Sequence, residues 1–388
     1  MALDSDTLAQ LCETLRRFVD EQLIPAEAEV AESDSIPARI VDQMKELGLF
    51  GLSAPEEFGG MGLNMEEEVS VMFEISRAAP AFRSFFATNV GIGMQGIAID
   101  GTDAQKAKYL PGLASGEIIG SFALTEPDVG SDAGSVKTTA RKDGDHYIIN
   151  GTKRFITNAP RAGVFTVMAR TDMEKKGASG VSAFAVEAGT PGLSVGKPEK
   201  KLGQQGAHVA DVIFEDCRVH ESTLIGGVEG QGFKTAMKVL DKGRLSIAAA
   251  SVGLSDRMIE DMVAYAVERK QFGQSIADFQ LVQAMIADSK AEAYAARCMV
   301  LDAARKRDAG KNVSVEASCA KMFASEACGR IADRNVQIHG GNGYIREYRA
   351  EQFFRDARLF RIYEGTTQIQ QTIIAKALVA EERRRAGA

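Results

Sequence analysis

The chain has 388 residues, 26% of them charged, and a formal net charge of −7. That length exceeds one simple core and predicts two or three domains sharing an extensive interior. The acidic balance shows no basic footprint, which argues against nucleic acid as the main partner and gives no support to binding an anionic membrane.

Residues 1–120 read as helical. The stretch from Leu8 places Leu8, Leu11, Leu15, Phe18 and Leu23 near one face. This acidic amphipathic helix lacks the basic-then-apolar order of a signal peptide. The expected location is cytoplasmic, or the mitochondrial matrix if a transit peptide has been removed. No apolar run is long enough to span a bilayer, so no membrane insertion is expected. The stretch 66–100, rich in Ala, Met, Phe and Gly, has the pattern of tightly packed buried helices. A further short helix, TDAQKAKYLPGLASGE, is predicted to close at Pro111 and Gly112.

The character changes near 121. Asp143-Gly144 and Asn150-Gly151 are turn dipeptides between β-type runs. VFTVMART, VSAFAVEA and VADVIFEDCRV continue the strand pattern, so 121–230 is predicted to be a β domain. From Gly232 long helices return, and no Pro follows residue 198, as unbroken helices require. The fold class is therefore α+β, with domains at 1–120, 121–230 and 231–388 in the order α, β, α.

The five cysteines are odd in number and form no Cys-x-x-Cys pair, which reads as reduced thiols in a cytosol-like compartment. His146, His208, His220 and His339 show no metal-ligand spacing, and no metal is expected. GGVEGQG lacks the Gly-Lys-Ser/Thr ending of a phosphate loop. GGMG and GGNG do not sit between a strand and a helix as a dinucleotide fingerprint would.

One acid stands apart. Glu364 lies in RIYEGTTQIQ, between Tyr363 and a Gly-Thr-Thr run, with helical sequence on both sides. Gly365 breaks the helix and permits close approach of the backbone to something else. The acid reads either as a helix cap or as a base aimed into a pocket.

Five stretches decide between these. They are FALTEPDVGSD, GTKRFITNA, ERKQFGQSIADFQ, QIHGGNGYIREY and RDARLFRIYEGTTQIQ, joined by PEEFGGMGL early in the chain. Together, and in this order, the sequence resembles the acyl-CoA dehydrogenase family of flavoproteins, nearly end to end. The resemblance implies an N-terminal helical domain, a middle β-barrel or sandwich and a C-terminal four-helix bundle. It also implies FAD, a homotetramer, α,β-dehydrogenation of an acyl-CoA thioester and an electron-transfer flavoprotein as acceptor.

That chemistry removes a proton from Cα and a hydride from Cβ. It needs a base over Cα, donors to the thioester carbonyl, and a flavin on the opposite face. By resemblance, Glu364 of the Tyr-Glu-Gly-Thr motif is the base, and its amide N–H with a flavin ribityl hydroxyl holds the carbonyl. Gly365 lets the thioester approach. Some relatives carry the base directly before the arginine of the DKGR stretch, but Gly243 occupies that place here.

The FAD contacts implied are Phe122, Leu124, Thr125, Gly130 and Ser131, then Phe155, Ile156 and Thr157. Leu124 and Thr125 meet the pyrimidine edge, Thr157 faces flavin N5, and Ser131 meets phosphate or CoA. Many members have Trp where Phe155 stands, and this chain has no Trp. The alternative for Phe155 is a core aromatic.

Arg269, Phe272, Gln280, Gln337, Gly340 and Gly341 are implied to serve the FAD of a neighbouring subunit. Thr366 and Gln368 serve the adenosine side of the FAD held with Glu364. Asp241 and Arg244 are implied CoA contacts, or else a surface ion pair. Arg83-Ser84 lies about where glutaryl-CoA dehydrogenases read a second carboxylate, with Gly91 and Gly93 leaving room for a branch or longer chain. Competing readings are an oxidase on the same scaffold, whose members are usually longer, and an inactive nucleic-acid-binding relative, which the acidic charge disfavours.

Overall fold

The computed structural model describes residues 3–175 and 177–387. Met1 and Ala2, where the first predicted segment begins, and Ala388 lie outside them. The N-terminal part carries α1 (Ser5–Phe18), α2 (Ile24–Ser33), α3 (Ala38–Glu46), α4 (Met65–Ile75), α5 (Pro80–Thr88), α6 (Gln95–Asp100) and α7 (Asp103–Ser115). Sequence explains where they start. Asp4 caps α1, and reciprocal capping boxes open α4 (Asn64 with Glu67) and α7 (Thr102 with Gln105). The predicted stop of α7 at Pro111 is wrong. The helix runs through Pro111 to Ser115, and Gly116, at φ +75°, ends it. Proline removes one donor from a helix, but here the chain turns only where glycine allows a left-handed residue.

The middle part is one seven-stranded sheet: β1 (Gly120–Ala123), β2 (Thr139–Asp143), β3 (His146–Thr157), β4 (Val164–Arg170), β5 (Val181–Glu187), β6 (Leu193–Val195) and β7 (Val209–His220). β4 lies parallel to β1 and antiparallel to β5, while β3 is antiparallel to both β2 and β7. The Asp143-Gly144 turn joins β2 to β3. Asn150-Gly151 is not a turn but an irregularity inside β3. Gly151 sits at φ +148°, where a Cβ would lie 2.5 Å from the Thr138 hydroxyl. The Asn150 amide, meanwhile, brackets the backbone and side chain of Asp216 on β7. The same residues that favour a turn here build a bulge.

The C-terminal part holds α8 (Gly232–Glu268), a short hairpin (Lys270–Ser275), α9 (Gln280–Asp308), α10 (Ser314–His339), α11 (Arg349–Ala357) and α12 (Thr367–Arg385). α8 is buried along Lys242–Ser255 because its residues there are mostly small. A Cβ on Gly253 would meet the Phe73 carbonyl at 2.4 Å, so only glycine lets α8 approach α4 this closely. The two helical parts share one hydrophobic core, and a second core lies within the sheet. Asn89, just after α5, ties the parts together: it donates to the Leu113 carbonyl at 2.9 Å and accepts from the Gly120 amide at 2.7 Å. Among the described residues no helix is long and apolar enough to cross a membrane.

Candidate active site

α11 is followed by a tight 3-10 turn (Arg358–Arg361) and a short loop before α12. Glu364 and Gly365 occupy that loop at φ +55° and +87°. A glutamate in the left-handed region is strained and needs a supporting network. Gln370, fully buried on α12, donates to the carbonyls of both Glu364 and Gly365 at 3.0 Å. Lys321 of α10 donates to the Gly365 carbonyl at 2.7 Å.

The Glu364 side chain does not cap a helix. That role belongs to Thr366, whose hydroxyl accepts from the Ile369 amide at 3.2 Å. Instead Glu364 lines a cavity with Arg83, Gly91, Thr157, Gly243, Ser246 and Tyr363. Its Oε2 is buried and accepts no hydrogen bond. Burial pushes its pKa up to about 7, although the cations Arg83, Arg244 and Lys321 all pull it down. Desolvation therefore outweighs three nearby positive charges, which leaves a carboxylate basic enough to act near neutrality.

Arg83 is buried on α5 and donates to the Ser246 hydroxyl at 2.6 Å. Its Nε, the Arg244 Nε and the Tyr363 hydroxyl are likewise buried without partners. Unsatisfied polar atoms gathered in one place mark a site built for a ligand. Beside them Ser84 donates to the Gln204 side chain at 3.0 Å, and the Gln204 amide is held by Asp356. Asp241 and Arg244 do pair, but Arg244 is buried beside Glu364 rather than solvated on the surface. Gly91 lines the cavity with open space beside it. Gly93 leaves no room for a longer chain: its Cβ would meet the Gly120 carbonyl at 2.5 Å, so it serves helix–sheet packing.

Gly243 carries a further constraint. A Cβ there would stand 2.6 to 2.8 Å from the Glu364 carboxyl atoms. Gly243→Ala is expected to displace the carboxyl and lower turnover at least about tenfold while cofactor binding persists. Steady-state kinetics and flavin content test this; unchanged turnover would show that the carboxyl's position does not matter.

The β domain supplies a second group. Leu124 and Thr125 follow β1, and Thr157 ends β3 in the Glu364 cavity. Phe155 is no core aromatic. It stands at φ +58° in the second irregularity of β3, the residue 57% exposed and its ring under the Arg154 guanidinium. Phe122 and Ile156 are core side chains, which leaves their main chain for any cofactor. Gly130 and Ser131 are exposed on the loop after β1. That loop is anchored by an ion pair that sequence reading missed. Lys153, fully buried, donates to Glu126 at 2.7 Å and to the Leu124 carbonyl at 3.2 Å. Glu126 also accepts from the amides of Lys137 and Thr138. The one available signal was a lysine inside the strand pattern of GTKRFIT.

The third group lies elsewhere. Arg269 ends α8, Phe272 tips the hairpin at 95% exposure, and Gln280 opens α9. Gln337, Gly340 and Gly341 close α10 and are exposed. Tyr265 stacks on His339 with ring centroids 4.2 Å apart, bringing the ends of α8 and α10 together. None of these residues lines the Glu364 cavity. Gln368 is exposed on the first turn of α12. Among the described residues no cluster of His, Cys, Asp and Glu could hold a metal ion.

A helical, sheet and helical chain with a buried, unpartnered carboxyl in a cavity between the parts has the layout of an enzyme. Three family models cover nearly all of it: the acyl-CoA dehydrogenase N-terminal domain at 5–117, the middle domain at 121–217 and the C-terminal domain at 230–379. The chain belongs to the acyl-CoA dehydrogenase family of oxidoreductases, and this membership indicates FAD as its cofactor. It is 42% identical to a 3-(aryl)acrylate reductase of Clostridium sporogenes, over 94% of this chain and 96% of that protein. It is 43% identical to subunit CarC of the caffeyl-CoA reductase-Etf complex of Acetobacterium woodii, over 90% and 92%. The butyryl-CoA dehydrogenase of Megasphaera elsdenii superposes with a TM-score of 0.93 at 35% identity, covering 97% of this chain and 98% of that one.

Proposed function

We propose that the protein dehydrogenates an acyl-CoA thioester to the trans-2-enoyl-CoA, with Glu364 taking the α-proton. The observation that carries this is the buried, unpartnered Oε2 of Glu364, aimed into a cavity it shares with Thr157. FAD, when bound, supplies the acceptor for the β-hydride. Leu124, Thr125, Ser131, Phe155 and Thr157 hold it from the β domain, with Thr366 and Gln368 at the adenosine end. The Glu364 amide binds the thioester carbonyl and acidifies Cα, and Arg244 with Asp241 meets the CoA portion. By microscopic reversibility the same carboxyl returns the proton in a reduction, the direction named for two of the relatives.

The electron partner is an electron-transfer flavoprotein, as the name of the caffeyl-CoA reductase complex supports. The chain works as a homotetramer. Phe272 at 95% exposure and Leu281 at 82% suit burial against another copy, and Arg269, Gln280, Gln337, Gly340 and Gly341 there serve a neighbour's FAD.

A specific observation favours a second reading of the substrate. Arg83 is a buried guanidinium with an unpartnered Nε inside an acyl pocket, where an alkyl chain would leave it unsatisfied. An acyl-CoA with a distal carboxylate, of the glutaryl type, would pair with it. Anaerobic addition of straight, branched and dicarboxylic acyl-CoAs to the yellow holoenzyme tests both readings. Bleaching by one class supports the dehydrogenase and names its substrate; bleaching by none would overturn it. If glutaryl-CoA is preferred, Arg83→Met should reverse the preference over butyryl-CoA by at least about tenfold. Hydrogen peroxide formed in air at the rate of turnover would make the protein an oxidase instead.

A further inference from the structure

Lys321 is buried on α10, where its neighbours in sequence are Cys, Ala, Met and Phe. A buried ammonium is costly unless its charge is used. Its bond to the protein goes to a neutral group, the Gly365 carbonyl, at 2.7 Å. The acids near it are Glu326 and Glu364. Glu326 is already engaged by Arg361 at 2.9 Å and by the Thr367 hydroxyl at 2.6 Å. Glu364 keeps a buried oxygen without a partner. A strap between α10 and the loop before α12 needs only a neutral donor, and Gln370 already provides one to the same carbonyl. What Lys321 adds is charge.

We propose that Lys321 is a positioning residue for Glu364, its ammonium fixing the Gly365 carbonyl and with it the left-handed loop that aims the carboxyl, while holding that carboxyl in its ionised form. The proposal rests on the reading of Glu364 as the base. The charged groups facing Glu364 are Arg83 from α5, Arg244 from α8 and Lys321 from α10, with the Tyr363 hydroxyl adjacent. Of the three cations, Arg83 also bonds Ser246 and Arg244 pairs with Asp241. Lys321 has no such competing acid free. Burial opposes its charge too, lowering its pKa to about 8, and Glu364 works against that effect. The two buried groups therefore support each other's ionisation.

The test compares Lys321→Gln, which keeps an N–H donor but no charge, with Lys321→Met, which keeps neither. Infrared difference spectra of the FAD-loaded holoenzyme across pH 5 to 9 follow the carboxyl band assigned to Glu364 by its loss in Glu364→Gln. Both variants are expected to move its midpoint upward by about one pH unit. A merely structural strap would lower the thermal midpoint of Lys321→Met and leave the carboxyl midpoint where it was. An unmoved midpoint in Lys321→Gln overturns the proposal, and this variant decides if Lys321→Met fails to fold. No band lost in Glu364→Gln overturns it as well, since no titrating Glu364 would then exist to position. Full turnover in Glu364→Gln would instead sink the base reading and leave the measured Lys321–Glu364 coupling standing.

Discussion

Glu364→Gln should keep its FAD and lose turnover by about a thousandfold, the middle of the range for removing a general base. The amide has nearly the volume of the carboxyl and cannot accept a proton. The variant should also be more stable than the parent at neutral and alkaline pH. The Glu364 carboxyl titrates near 7 in the folded chain against an ordinary 4.5. Below about 4.5 both states hold the proton and the carboxyl costs nothing. As pH rises from there to about 7, the unfolded chain releases its proton first, and stability falls. Above 7 the full penalty stands, on the order of 3 kcal/mol for this gap. Gln has no proton to release, so its advantage should grow over that window and then level. Turnover near the parent's would end the catalytic assignment. A stability difference independent of pH would mean that the carboxyl is not desolvated. Such a trade of stability for activity is common where a charge must be buried for chemistry.

Lys153→Met should destabilise the chain by about 3–5 kcal/mol and release FAD, because it leaves Glu126 buried without its counter-charge. The Glu126 carboxylate has only amide donors left, from Lys137 and Thr138. The Leu124 carbonyl loses its partner in the same step. Combining it with Glu126→Gln should recover much of the stability, since no charge then remains buried. Chemical denaturation and flavin content of the single and double variants measure both effects. A single variant with full flavin and parental stability would show that the loop after β1 holds itself. If stability returns in the double variant without FAD, the pair's main service is to the cofactor loop.

The fold was legible because its signals are local. The Asp143-Gly144 turn follows from residues within a few positions of each other. So does the long α8, free of proline. Two of the misreadings, at Asn150-Gly151 and at Gly93, come from a tertiary contact overriding a local preference. Pro111 did not stop α7, because glycine at 116 was the first residue to leave helical geometry. Asn150-Gly151 became a bulge, its Asn150 amide paired with Asp216 on β7 and its glycine packed against Thr138. Gly93 was read as pocket room and proved to be a contact with Gly120.

The order of elements rests on periodicity, and the family resemblance and candidate base on motifs, all carried by adjacent residues. What surrounds Glu364 is set by packing. Arg83, Gly243, Arg244, Lys321 and Gln370 come from four separate helices, up to 287 positions apart along the chain. Charge, burial and close approach act through space and fall off over a few ångströms. No pattern along the chain encodes those distances, so the environment that raises the proton affinity of Glu364 appears only once the helices are packed.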